Sequence, residues 1–451
     1  MRKLFIYLMA AVFMLCFAPA ANAGTVTTVG NTDISVGGFI LGYYGESYNQ
    51  NLVSAQANNP GMVDTNTESN TKFSGTLDFT RLWVNLDNKP EGLTGYVSID
   101  FNGDSPTNQG LNNGLRLRRA YLMKSFCIEK GGCGGYSPWI EIGQDYNLGQ
   151  PVGFSLAAYQ NAGLAGDEAS VPIWVPQVAF GVKFKSGNAE FNPEIAIMDL
   201  QGESGSGSYT TLMNTTSFAA GENSANISAS MPGFGIKLPI DFKTSFGAPT
   251  SFYAALEEQE VNVNNPDNSG FKKTRNGYSV GGGLTVPVSF VTLMGDAQYT
   301  DGMTGLNTIL LAGDYTPSSY YWNGPTNLQS ATAIQWDAQA KVNLRQFVGA
   351  AMSMAGGYSQ VSFKNYQDDQ NINLGDSYAA WSTDQSAGST TVAYSSAPVS
   401  KAASIFLNVE WNATKSIMLG LEWDNNRTNY TVDSSRSFNS NALYAVGMYS
   451  F

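Results

Sequence analysis

From Thr332 to Arg345 the chain alternates without a break. Ile334, Trp336, Ala338, Ala340, Val342 and Leu344 fall on one face, and Gln335, Asp337, Gln339, Lys341, Asn343 and Arg345 on the other. Period-2 alternation is the signature of a β-strand with unlike faces. The run is long for a globular strand, which averages about 5–6 residues. It suits the roughly 9–11 residues a strand needs to cross a bilayer. The pattern recurs. Val178, Phe180, Val182 and Phe184 alternate with Ala179, Gly181, Lys183 and Lys185. Ala403, Ile405, Leu407, Val409 and Trp411 alternate with Ser404, Phe406, Asn408, Glu410 and Asn412. Val97, Ile99 and Phe101 alternate with Ser98, Asp100 and Asn102. The expected class is all-β.

The N-terminus indicates export. Met1-Arg2-Lys3, an apolar run from Leu4 to Phe17 and the small-residue stretch 18–23 form a secretory signal, with cleavage expected after Ala23. Residues 1–23 are read as the leader and 24–451 as one domain. The apolar run is short of the roughly 20 residues of a spanning helix. Phe13-Met14-Leu15 before Cys16 lacks the small residue that precedes a lipidated cysteine. No later apolar run reaches spanning length, so the exported chain either stays soluble or crosses the membrane as a closed barrel. The far end favours the barrel. Leu443, Ala445, Gly447, Tyr449 and Phe451 share a face of a final strand. Its ending, Tyr449 then Phe451, resembles the signal by which outer-membrane barrels engage their assembly machinery.

The links between strands alternate in length. Long or medium stretches at 46–72, 103–114, 145–176, 201–222, 258–275, 301–331, 364–400 and 427–440 interleave with short links at 87–94, 125–137, 186–188, 287–289, 346 and 412–415, and with a poorly defined turn near Pro239. Long links outside and short links inside are the arrangement of an outer-membrane barrel. The count is about 16 antiparallel strands, enough to enclose an aqueous lumen. Both termini are expected on the periplasmic side, and membrane lipid around the barrel.

Composition narrows the function. Without the leader, 22 Lys and Arg stand against 36 Asp and Glu, a formal charge of −14, which argues against a nucleic-acid partner. Charged residues are 13% of the chain, against about 25% in soluble domains, as suits an apolar outer band. There is no histidine. This removes the commonest general base and a common metal ligand, so neither an enzyme nor a metal or cofactor protein is expected. Cys127 and Cys133, one glycine-rich turn apart, are expected to form a disulfide in an oxidising compartment.

Two segments carry candidate chemistry. In Leu115-Arg116-Leu117-Arg118-Arg119-Ala120-Tyr121, Arg116 and Arg118 share one face, and Arg119 falls off the pattern, to be accommodated either by a bulge or by a position near the periplasmic rim. Three of the nine arginines of the chain lie here. An arginine facing mid-bilayer hydrocarbon costs about 2–4 kcal/mol, so Arg116 and Arg118 are expected to face the lumen, with Arg81 on the same wall. These arginines either attract small anions, or pair with the lumen carboxylates Asp100 and Glu141, or do both. Lys183, Lys341 and Arg345 are likewise expected to face the lumen. The second segment, 145–176, holds Asp167, Glu168 and Trp174. It is read as a third loop folded inward, its acids facing the arginines across a constriction, the alternative being an exposed external loop.

Val36-Gly37-Gly38-Phe39, Thr80-Arg81-Leu82, the arginine segment and Ile142-Gly143-Gln144 before a long loop together resemble trimeric bacterial porins, most nearly the DcaP-like group. The resemblance implies a 16-stranded homotrimer passing small, often anionic solutes, with an arginine constriction at Arg81, Arg116 and Arg118. The function expected is a passive outer-membrane pore for small hydrophilic solutes. Two other readings stay open: the barrel sheath of an electron-conduit complex, and a secreted structural β protein.

Overall fold

The computed structural model describes residues 25–50, 70–77, 80–103, 114–126, 135–148, 174–200, 227–229, 231–245, 249–264, 272–303, 320–322, 327–365, 399–430 and 433–451. These residues hold β1 (Thr25–Val29), β2 (Thr32–Gln50), β3 (Asn70–Thr76), β4 (Arg81–Asn88), β5 (Leu93–Gly103), β6 (Gly114–Ser125), β7 (Tyr136–Tyr146) and β8 (Trp174–Ser186). There follow β9 (Ala189–Phe191), β10 (Glu194–Met198), β11 (Ile227–Ala229), β12 (Gly233–Phe242), β13 (Thr250–Asn264), β14 (Lys272–Val288) and β15 (Val291–Asp301). The chain ends with β16 (Tyr320–Trp322), β17 (Leu328–Ser330), β18 (Thr332–Asn343), β19 (Met352–Lys364), β20 (Val399–Asn412), β21 (Ile417–Tyr430) and β22 (Asp433–Ser450).

Sixteen staves make one closed antiparallel barrel. The pairs β3 with β4, β9 with β10, and β11 with β12 are each one interrupted stave, because both members bond the same neighbour. β1 folds back on the start of β2, and β16 and β17 form a separate hairpin. The first and last staves close the ring, Phe39 to Tyr48 of β2 pairing with Ser450 to Asn441 of β22. Phe451 completes the seam: its amide donates to the Gly38 carbonyl at 3.0 Å, and its carbonyl accepts from the Gly38 amide at 3.1 Å. The terminal aromatic thus lies where the barrel is sealed.

The side chains are distributed inside out. Exposed large apolar residues sit at alternate positions of stave after stave, among them Val97, Leu117, Ile142, Phe180, Ile197, Leu256, Leu284, Leu293, Ile334, Leu407 and Leu421. The intervening positions carry buried Ser98, Asp100, Gln177, Glu257, Gln259, Ser279, Gln298, Gln335, Asp337, Asn408, Glu422 and Asp424. Such an apolar belt is stable against hydrocarbon and would aggregate in water.

Four stave boundaries differ from the sequence expectation. Pro239 lies inside β12, paired with Tyr253, and β12 runs on to Phe242 before β13 begins at Thr250. A turn placed at proline fails here because this position sits in a strand that the neighbouring register enforces. The stretch 258–275 is mostly strand, β13 and β14 approaching to Asn264 and Lys272. The stretch 427–440 is also mostly strand, β21 and β22 extending to Tyr430 and Asp433. In these extensions the outward positions turn polar, as at Glu258, Glu260, Thr274 and Arg427, because the strand has risen above the lipid, and so they read as loops. Finally, β18 ends at Asn343, and Arg345 opens α1 (Arg345–Val348), a single helical turn.

Candidate functional site: a basic wall inside the barrel

β4, β5, β6 and β7 place four arginines against one another on the inner wall. Ser98 of β5 pairs with Arg119 of β6, but the next residue, Ile99, pairs with Leu117. Arg118 is therefore an extra residue, a β-bulge, and the inside–outside parity of β6 changes at that point. Before the bulge Leu115 and Leu117 are exposed and Arg116 is buried. After it, Leu122 is exposed and Arg119 and Tyr121 point inward beside Ser98 and Tyr96. One inserted residue thus turns Arg116, Arg118 and Arg119 all to the lumen.

The motif after β6 supports the bulge. The Gln144 side-chain amide donates to the carbonyls of Leu117 and Arg118, at 3.2 and 2.9 Å. A bulge frees such carbonyls from the ladder, and in an apolar surround an unsatisfied one costs about 1–3 kcal/mol. Gly143 has φ +148°, and a Cβ there would lie 2.2 Å from the Ala120 carbonyl oxygen and 2.5 Å from Tyr121 Cα. Only glycine permits this approach.

Asp100 anchors the group and is fully buried. It accepts from Arg116 Nε at 2.9 Å and Nη2 at 2.6 Å, the bidentate geometry of the strongest charge-assisted pairs, and from Arg118 Nη1 at 2.7 Å. Trp174, the first residue of β8, covers both cations, with the Arg118 and Arg116 guanidinium carbons 4.5 and 4.9 Å from its ring centre. Arg119 is held separately by Asp145, at 2.5 and 2.9 Å, inside a cage of Tyr96, Tyr121 and Tyr146. Arg81 lies over Phe39, 5.2 Å from its ring centre. Arg81, which pairs in register with Asp100, thus joins Arg116 and Arg118 around this one buried carboxylate. Arg119 and Asp145 balance, and Glu141 is also buried on this wall.

The opposite wall is acidic. Asp337 of β18 lies eight staves from β6, half the circumference of a sixteen-stave ring. Asp337 pairs directly with Asp296 of β15, and its Oδ1 accepts from the Asp296 amide at 3.1 Å. Glu257 of β13 is fully buried and accepts from Asn147 Nδ2 at 3.2 Å. β13 lies five staves from β6 on one side, and on the other side β21, also five staves away, carries buried Glu422 and Asp424.

The structure therefore brings together Arg81, Arg116, Arg118 and Asp100, whereas Glu141 lies beside Arg119 and Asp145. Lys341 also faces inward and pairs with Glu410 at 3.0 Å. Lys183 sits at the short-turn rim and pairs with Glu190, which Lys185 also contacts at 3.1 Å. These two lysines hold the Glu190 carboxyl below the usual carboxylate range. Arg345 is exposed in α1, beyond the strand end, and does not line the wall. Asp167, Glu168, the inward third loop as a whole, Cys127 and Cys133 lie outside the described residues. Sequence reasoning marked Arg119 as off the pattern but did not single out Asp145, Asp296, Asp337 or Glu257. The alternation of β18 already placed Asp337 on the polar face, but one strand alone does not reveal its partner.

No protein-family model and no curated protein sequence matches the chain. Solved structures do. The outer membrane channel DcaP of Acinetobacter baumannii superposes with a TM-score of 0.64 at 18% identity, over 95% of this chain and 100% of that one. The anion-selective porin of Comamonas acidovorans gives 0.48 at 12%, over 93% and 100%. Salmonella typhi OmpF in complex with daunomycin gives 0.48 at 11%, over 95% and 100%. With an apolar belt outside, charged walls inside and near-complete overlap with DcaP, the chain has the fold of an outer-membrane porin, a closed antiparallel barrel of sixteen strands.

Proposed function

We propose that the protein is a passive outer-membrane pore for small hydrophilic solutes, favouring small anions. The observation that carries this reading is the inner wall on which Arg81, Arg116 and Arg118 gather around Asp100. A charged wall in a narrow pore concentrates counter-ions and orients them. Guanidinium forks suit carboxylates in particular. With Asp296 and Asp337 half a turn away, a solute between the walls meets a transverse field. An anion carrying its own dipole aligns in that field. In this reading the short-turn end, with both termini, is periplasmic. Three copies assemble, on the motifs shared with trimeric porins, and Cys127 and Cys133 close a periplasmic turn.

The outward apolar belt disfavours a soluble structural protein, which would expose polar residues there. A sheath for a cytochrome calls for a bore open to a protein partner, and the dense arginine–carboxylate–tryptophan packing favours a pore for small solutes. Single-channel recording in a planar bilayer under a salt gradient tests the proposal. Stable open steps with an anion-preferring reversal potential are expected. Folded protein that never conducts would refute it.

A further inference from the structure

The outer surface of the barrel carries a basic patch that the pore does not use. On β20 and β21 the outward positions are marked by exposed Ile405, Leu407, Trp411, Leu421 and Trp423. Followed toward the long-connection rim, the same positions become Lys401 on β20 and Asn425, Arg427 and Asn429 on β21. Together with Tyr358 of β19 they line a depression of about 150 Å³. Lys401 pairs in register with Asn429, and Arg427 with Ala403. The two cations are therefore diagonal neighbours on one face, Cβ atoms within about 7–8 Å, a spacing that lets both reach one phosphate.

Three observations say what occupies this patch. First, the outward positions of β18 to β21 carry no carboxylate among the described residues, and neither Lys401 nor Arg427 is in an ion pair with a described residue. The feature is local: at the same rim, the outward face of β13 carries Glu258, bonded by Asn276 at 2.7 Å, and Glu260. Second, the depression lies directly above an apolar belt that includes Trp336, whose ring meets Tyr358 at 5.1 Å. Aromatic girdles mark the level of lipid headgroups, and a cation on the lipid face costs only about 0–1 kcal/mol there. Third, the patch points away from the lumen, so a solute in transit does not reach it.

We propose that Lys401 and Arg427 bind the phosphate of an anionic membrane lipid in the leaflet on the long-connection side. Lipid chains lie along Ile405 and Leu407 below. The inference rests on the reading of the chain as a membrane barrel. It does not depend on the pore's selectivity.

The test uses the full-length mature protein refolded in detergent. Binding of bis-phosphorylated lipid A and of the same lipid with its phosphates removed is measured by native mass spectrometry, with single-channel conductance recorded in parallel. Lys401→Gln combined with Arg427→Gln is expected to weaken the phosphorylated lipid about 25-fold, at roughly fivefold per cation near an anionic headgroup. Conductance should stay unchanged. Lys401→Arg combined with Arg427→Lys should retain binding. If the double variant does not refold, Arg427→Gln alone should lose about fivefold. Equal binding by wild type and variant would overturn the proposal, as would equal affinity for the dephosphorylated lipid. So would competition by inorganic phosphate as effective as by the lipid. Wild type that binds as expected but never conducts would leave this site standing and remove the pore alone.

Discussion

Asp100→Asn isolates the electrostatics of the inner wall. The carboxylate is fully buried and accepts three hydrogen bonds, two from Arg116 and one from Arg118, whose exposures are 9% and 1%. Asparagine keeps the shape and one acceptor oxygen, so the substitution removes charge with little change in packing. Breaking a buried ion pair by neutralising one partner costs about 3–5 kcal/mol, because the other charge is left uncompensated. Two arginines share this one acid. The stacking of both on Trp174 survives and retains roughly 1–2 kcal/mol. A net destabilisation of about 3 kcal/mol is expected, some two orders of magnitude in the unfolding equilibrium. Urea titration of the barrel in lipid vesicles, followed by tryptophan fluorescence, reads it. Asp145→Asn is the control. Its partner Arg119 is 21% exposed in the side chain, so screening reduces the loss to about 1–2 kcal/mol. The same Asp100→Asn protein should shift its reversal potential toward anions, since the inner wall loses one negative charge. A destabilisation under about 1 kcal/mol, with an unmoved reversal potential, would refute the view that Asp100 holds and partly neutralises the arginines.

Gly143→Ala should cost roughly 2–4 kcal/mol in the same titration, because it combines a positive φ with a Cβ forced into the Ala120 carbonyl; wild-type stability would show that the bulge relaxes freely. Gln144→Leu should lower stability by about 1–3 kcal/mol, two bulge carbonyls losing their donor at once, and an unchanged midpoint would remove Gln144 from that role. Deleting Phe451 removes both backbone bonds to Gly38 at the seam, so the fraction of protein migrating as folded barrel on an unheated gel should drop; full recovery of the folded band would dissociate the terminus from closure. Arg118→Gln should move the reversal potential toward cations, opposite in sign to Asp100→Asn, and a shift of the same sign in both would contradict the charge assignment.

Much of the barrel was legible because a lipid-facing stave imposes one rule on every second residue. β18 and β20 announce themselves, their outward residues Ile334, Trp336, Leu407 and Val409 having no polar member until the membrane ends. Where the staves leave the lipid the rule lapses. Asn425 to Asn429 include no apolar residue, and nothing in composition separates such a ribbon from a loop. Pro239 misled for a related reason. Proline lacks only a donor, and a position that needs no donor tolerates it inside β12.

The site was half legible for a sharper reason. Strict alternation sent Arg116 and Arg118 inward and Arg119 outward, and an arginine aimed at hydrocarbon is too costly to accept. That contradiction was itself the signal of a bulge, since one inserted residue is the least disturbance that reverses parity. The structure places the bulge at Arg118, and Gly143 and Gln144, on the neighbouring strand, are the residues it requires: one leaves space for the displaced backbone and the other bonds its freed carbonyls. The acidic wall gave no such signal. Asp337 obeys the alternation of β18, as Asp296 obeys that of β15, and neither breaks a local rule. Their meaning arises only when ring closure sets them half a circumference from Arg118. Local conflict is readable along the chain, whereas opposition across a lumen is a property of the count and register of staves. A sequence can therefore disclose which residues enter the pore before it discloses which of them face one another.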